Sequence, residues 1–226
     1  MKAMILAAGR GERLRPWTDT LPKPLLKVRG RRLIEHHLLA LKDAGFEQVV
    51  INVAYKAGAI VQTLGDGSDY GLQIEYSHEQ PGELDTGGGI RQALPLLGVQ
   101  GSFGASFLVI NADVLTDYPL AKLRTALKKN KTQAYLVLAP NPPHHPQGDF
   151  GLEDNLITST APLFTFTGIG VYRPELFSQQ AETRFGLAPV LRQAINIQSA
   201  CGEVYSGHWQ DVGTPEAFER LGGSLN

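Results

Sequence analysis

A chain of 226 residues that is 42% hydrophobic can close a full buried core, and one domain over residues 1–226 is the expectation. A formal charge of -1 spreads no single-sign field over the surface, which argues against nucleic acid or an anionic membrane as a partner. No apolar run reaches the ~18 residues of a membrane span. Cys201 is the one cysteine, and the start MKAMILAAGRG lacks the apolar region and cleavage site of a signal peptide, so a reducing cytoplasm is the expected compartment.

In chain order, KAMILAA reads as a buried strand that runs into Gly9 and Gly11. Glycines placed there let backbone N–H groups approach an anion closely, and a phosphate is the natural one. The loop is neither a dinucleotide fingerprint, since Leu14 stands where the third glycine belongs, nor a Walker loop. Arg13 supplies a guanidinium fork suited to a polyphosphate leaving group. Lys23, between Pro22 and Pro24, is a point charge on a stiffened segment.

LIEHHLLALKDAG follows, with Ile34, His37, Leu38 and Leu41 on one helical face and Gly45 as its stop. EQVVINVA and LQIEYSHE read as strands, and EQPGELDTGGGIRQAL joins the second of them to a helix that Asp85 or Thr86 can cap. The three glycines from Gly87 leave room for a flat ring against the backbone. SFLVINAD is a strand ending on Asp113, at the carboxyl edge where α/β sheets bind ligands. LAKLRTALKKN reads as a helix and QAYLVLAP as a strand. PNPPHHPQGDFG is a proline-rich loop whose His144 and His145, with no third ligand in view, read as exposed rather than metal-binding. FTFTGIGVYR and EVYSGHWQDVGTPE suggest antiparallel strands at an edge or over the site, with the helix LAPVLRQAI between them. The alternation makes the class α/β: a Rossmann-like three-layer α/β/α fold with a mostly parallel mixed sheet. Asp113 and Asp211 are two carboxylates far apart in sequence, which with phosphate oxygens and water would suit Mg²⁺.

LAAGRGERL with Pro22-Lys23-Pro24 resembles the opening signature of the sugar-1-phosphate nucleotidyltransferases. Asn111-Ala112-Asp113 and Trp209-Gln210-Asp211-Val212-Gly213-Thr214-Pro215 match the same family's two aspartate segments. The resemblance implies UTP and a sugar 1-phosphate as substrates and Mg²⁺ held by Asp113 and Asp211. It implies that Arg13 meets the departing pyrophosphate and Lys23 the reacting phosphate. Leu6, Ala8, Gly9, Gly11, Glu12, Gln80, Asp85, Thr86 and Gly87 would complete the nucleotide site, and Asn111, Gly151 and Thr167 the sugar site. The Glu-Lys-Pro segment that the family carries before its Gly-Ile strand is absent here; STAPLFTFT precedes Gly168-Ile169 instead. The chain is most similar to the compact uridylyltransferase branch of cell-wall recycling, without a hexapeptide-repeat domain, as a monomer or small homo-oligomer. The alternatives are the same chemistry on mannose 1-phosphate with GTP or glucose 1-phosphate with UTP or dTTP, and then an inactive nucleotide-sugar-binding regulatory subunit.

Overall fold

The computed structural model describes residues 1–99, 104–128, 131–178 and 180–224. The first part of the chain forms β1 (Ala3–Leu6), α1 (Trp17–Thr20), the short β2 (Lys27–Val28) and β3 (Arg31–Arg32), α2 (Leu33–Asp43), β4 (Gln48–Val53), α3 (Ala57–Leu64) and β5 (Gln73–His78). The middle forms α4 (Asp85–Leu97), β6 (Phe107–Asn111), β7 (Val114–Thr116), β8 (Ala134–Ala139), β9 (Phe150–Glu153), β10 (Leu156–Thr158) and β11 (Leu163–Tyr172). Last come α5 (Glu175–Ser178), α6 (Leu187–Asn196), β12 (Ala200–Val204), β13 (Trp209–Asp211) and α7 (Pro215–Arg220).

The main sheet has the order β5-β4-β1-β6-β11-β8-β12-β10-β9. Its first four strands are parallel, as are β8 and β12, while β11 runs antiparallel to both of its neighbours. The FTFTGIGVYR strand is therefore not an edge: β11 sits mid-sheet, between β6 and β8. A residue pattern apolar on both faces is what a strand buried on both sides needs, and β11 shows it from Gly168 onward. β9 pairs back onto the start of β11, so the strands from β11 to β9 close a small circuit. Gly151 belongs to that closure, because a Cβ there would collide with the Thr160 carbonyl.

Successive residues of β1 face opposite sides: Ala3 and Ile5 join one core with Ile34, Leu38 and Leu41 of α2, and Met4 joins the other with Ile90 and Leu94 of α4. These are the three layers. The predicted α2 face is buried, and Gly45 stops the helix at φ 77. The LAKLRTALKKN segment is instead a 3-10 stretch over Leu120–Thr125, and its residues 129–130 lie outside the described residues. Among the described residues, no helix is long and apolar enough to cross a membrane.

His37 sits inside α2's buried face, 3% exposed, with Nε2 lacking a hydrogen-bond partner. Burial, with His36 adding to it, pushes its pKa down to about 4. The unfolded chain therefore binds a proton that the folded chain refuses between the ordinary value of about 6.5 and 4. Stability from this group is complete above that window and is lost as the pH falls through it. Between pH 7.5 and 4.5, His37→Leu should lose roughly 2–3 kcal/mol less stability than the unsubstituted chain. Denaturant titrations at the two pH values check this, and equal losses would refute it.

Candidate active site

The site lies at the carboxyl ends of β1, β4, β5 and β6, in a cavity of about 580 Å³. Leu6, Ala8, Gly9, Gly11, Glu12, Arg13 and Lys23 all line it. A Cβ on Gly9 would meet no protein atom within 4 Å, so packing does not demand a glycine there; open space for a ligand does. Gly11 is different. Its φ is 66, and a Cβ would fall 2.9 Å from the Thr18 methyl and 3.1 Å from Lys23 Cβ. The Thr18 hydroxyl donates to the Gly11 carbonyl at 3.0 Å, and Leu14 N does so at 2.9 Å, tying the turn that carries Arg13.

A third core lies under this loop. Leu14, Leu26, Val28, Leu33, Leu115, Val212 and Phe218 pack together, joining the residue after Arg13 to β7 and to the segment after β13. β7 and β13 pair antiparallel with Val114 opposite Asp211, and Val212 N donates to the Asp113 carbonyl at 2.7 Å. This two-stranded ribbon brings the two predicted aspartates side by side across almost a hundred residues of sequence. Thr214 then caps α7 by accepting from Ala217 N at 3.3 Å, with Pro215 at the first helical position, which accounts for the Gly-Thr-Pro run.

Lys23 Nζ lies 2.6 Å from Asp113 Oδ2, with side chains 12% and 33% exposed. A Cβ on Gly213 would fall 2.7 Å from Asp211 Oδ2 and 3.2 Å from an Arg13 guanidinium nitrogen. The absence of that Cβ leaves Arg13 and Asp211 flanking one point without pairing; Arg13 and Gly213 line the cavity, and Asp211 does not. Gly213→Ala displaces only the mobile ends of two side chains, so melting should barely change. Turnover should fall by about 10²-fold, the effect of misplacing groups by an ångström. Steady-state kinetics beside a melting curve separate the two effects, and unchanged turnover would contradict the arrangement.

Both aspartates offer oxygen donors only, Asp113 from the turn just before β7 and Asp211 from the end of β13 beside it. Mg²⁺ takes one or two protein carboxylates and completes its octahedron with water and phosphate, so this donor set fits it. Among the described residues no group of three or more His, Cys, Asp or Glu could hold a metal ion, so a cage made wholly of such side chains is not what they build.

The nucleoside side departs from expectation in several places. Asp85 and Thr86 line the cavity, but the helix start is satisfied otherwise: Gly87 N and Gly88 N donate to the Phe185 carbonyl at 2.9 and 3.0 Å. Thr86 Oγ1 accepts from Leu187 N at 2.9 Å, at the start of α6. The ring that the missing Cβ of Gly87 accommodates is that of Phe185, 2.5 Å from where the Cβ would be. Gly87 and the exposed Gln80 do not line the cavity. Glu79, one residue earlier, does. Its Oε1 accepts from Asn52 Nδ2 at 2.7 Å, and Asn52 Oδ1 accepts from Ala7 N at 2.8 Å, linking it to the start of the glycine loop. Gly89 makes room for that oxygen, and burial raises the Glu79 pKa. A carboxylate at a strand's carboxyl end, directly before the expected Gln80, was the sequence signal for it.

Of the three expected sugar residues, Asn111 lines the cavity, lying over Gly168, which takes φ 77 in the β11 bulge. Thr167 does not: it is 1% exposed, its hydroxyl donates to the Val137 carbonyl at 2.7 Å, and its own carbonyl accepts Trp209 Nε1 at 3.0 Å. It supports β13 from beneath. Gly151, in β9, is also outside the cavity lining. His144, read from sequence as an exposed loop residue, has its Nε2 3.1 Å from Asp211 Oδ1.

The geometry agrees with comparison to known proteins. The nucleotidyl transferase family model matches residues 2–155. The chain is 51% identical over 223 residues to the N-acetylmuramate alpha-1-phosphate uridylyltransferase of Neisseria meningitidis serogroup B, covering 95% of this chain and 94% of that one. It is 34% identical to the protein of the same name from Caulobacter vibrioides, over 95% of this chain and 93% of that one. Among solved structures, a Bacillus anthracis protein described as a glucose-1-phosphate thymidylyltransferase superposes with a TM-score of 0.84 at 21% identity, covering 98% of this chain and 93% of that one, a likeness of fold. The chain belongs to the nucleotidyl transferase family and is a sugar-1-phosphate nucleotidyltransferase.

Proposed function

We propose that this enzyme transfers UMP from UTP to N-acetylmuramate α-1-phosphate, giving the UDP-sugar and pyrophosphate, as a Mg²⁺-dependent cytoplasmic step of peptidoglycan recycling. The carrying observation is that the glycine loop, Arg13, Lys23, Asp113 and Gly213 all line one cavity, with the Asp211 carboxylate beside Gly213 just outside that lining. The high identity to relatives named for this reaction supports the choice of substrates.

A phosphate oxygen of the sugar 1-phosphate attacks the α-phosphorus as the bond to the bridging oxygen of the β-phosphate breaks, and pyrophosphate leaves. A phosphate monoester is nucleophilic at neutral pH, so positioning and charge stabilisation carry the catalysis. The backbone from Ala8 to Gly11 receives the triphosphate. Arg13 grips the departing pyrophosphate, and Lys23, steered by Asp113, faces the transferred phosphate. Asp113 and Asp211 would hold Mg²⁺, whose charge offsets that of the phosphate oxygens when it is bound.

The test is pyrophosphate release from the purified protein with five nucleoside triphosphates against N-acetylmuramate, N-acetylglucosamine, glucose and mannose 1-phosphates. A maximum at UTP with N-acetylmuramate 1-phosphate is expected. A maximum elsewhere would keep the chemistry and replace the substrate.

A further inference from the structure

Apart from His144, the proline-rich segment after β8 has no part in the site described so far, yet it is firmly built. Asn141 anchors one end: its Nδ2 donates to the Leu163 carbonyl at 2.9 Å and to the Pro146 carbonyl at 3.1 Å, and its Oδ1 accepts from Thr165 Oγ1 at 2.9 Å. Asp149 anchors the other: its N donates to the Phe164 carbonyl at 2.8 Å, and its Oδ2 accepts from Phe166 N at 2.8 Å. His145 Nε2 lies 3.2 Å from Asp149 Oδ1 and closes the strap on itself. Gly148, at φ 67, provides the turn, and a Cβ there would strike Asn141 Oδ1 at 2.7 Å. Two histidines that look alike in sequence thus have different work. His145 points to the base of the strap, and His144 reaches across to Asp211.

We propose that His144 is a positioning residue for Asp211, holding Oδ1 so that Oδ2 is presented toward Arg13 and the bound ion. The inference rests on the reading of Asp211 as a metal ligand given above. His144 Nε2 stands 3.1 Å from Oδ1, and among the described residues no other side chain is paired with this carboxylate. Nε2 carries a proton both in imidazolium and in one neutral tautomer, so the contact does not depend on a change of charge. A ligating carboxylate free to rotate about its last bond gives a loosely defined site. Outer-shell partners that fix such ligands are worth about 10- to 100-fold in metal affinity or activity. The two oxygens of Asp211 divide accordingly, Oδ1 toward the strap and Oδ2 toward Gly213.

His144 is 54% exposed, so its replacement does not threaten the core. The test uses His144→Leu, which removes the donor, and His144→Gln, which offers an amide N–H near the place of Nε2. Binding of Mn²⁺ alone to the full chain is followed by electron paramagnetic resonance of the free ion, beside the Mg²⁺ concentration for half-maximal pyrophosphate release. His144→Leu is expected to weaken Mn²⁺ binding and raise the Mg²⁺ requirement by about 10-fold or more, with His144→Gln within about threefold of the unsubstituted chain. Unsubstituted affinity in His144→Leu would overturn the proposal, and so would a glutamine variant as impaired as the leucine one. An unsubstituted chain that binds no Mn²⁺ would overturn the metal-site reading and this inference with it; one that binds while His144→Leu is unaffected would overturn this inference alone.

Discussion

Asp113→Asn is expected to lower turnover by about 10³-fold with both substrates and Mg²⁺ saturating, at the upper end for loss of one preorganised charge. The substitution keeps the shape of the side chain and one carbonyl oxygen while removing the negative charge. Two functions proposed for Asp113 depend on that charge: drawing metal to the site and steering Lys23, whose ammonium it meets at 2.6 Å. The fold should survive, because the backbone carbonyl of Asp113, which accepts from Val212 N at 2.7 Å, is untouched and the core beneath the loop does not include this side chain. Melting temperature measured with kcat decides the matter: a folded variant with full activity would remove Asp113 from the metal site.

Lys23→Met is expected to cost turnover about 10²-fold or more. Methionine retains the unbranched stem, and the stem matters here, since Lys23 Cβ lies against the Gly11 turn. What is lost is the charge, and Asp113 loses its partner with it. Lys23→Arg separates charge from geometry. Arginine restores the positive charge as a planar fork with five donors where the site holds a compact ammonium, so it should recover only part of the rate. The expected signature is a fall in kcat larger than any rise in KM for either substrate. Loss confined to KM would instead place Lys23 in ground-state binding, and near-normal kcat in the methionine variant would dismiss its role.

The parts legible in the sequence share one property: their neighbours in space are neighbours in the chain, or follow from strand polarity. The glycine turn at the cavity is read from glycines directly after a buried strand, and the place of Asp113 in the cavity lining from its position just past a strand's end. The α2 face follows from helical spacing. What was not legible depended on partners far along the chain. Gly87 is small because of Phe185, and Thr86 turns its hydroxyl to Leu187, a hundred residues on. A glycine reports crowding or openness without saying what crowds it, so a run of three suggested a ligand where the protein supplies its own ring. Thr167 precedes the bulge glycine, and the bulge sets where its side chain points: inward to the Val137 carbonyl. His144 lies in a loop without period, and only the fold shows what it reaches.

The most direct measurement is the stereochemical course with UTP carrying one sulfur of defined configuration on the α-phosphorus, with N-acetylmuramate α-1-phosphate as acceptor. Direct attack by the sugar phosphate predicts a UDP-sugar product with inverted configuration at that phosphorus. Retention would require a covalent enzyme intermediate and contradict the mechanism, and absence of the UDP-sugar would contradict the assignment of substrates.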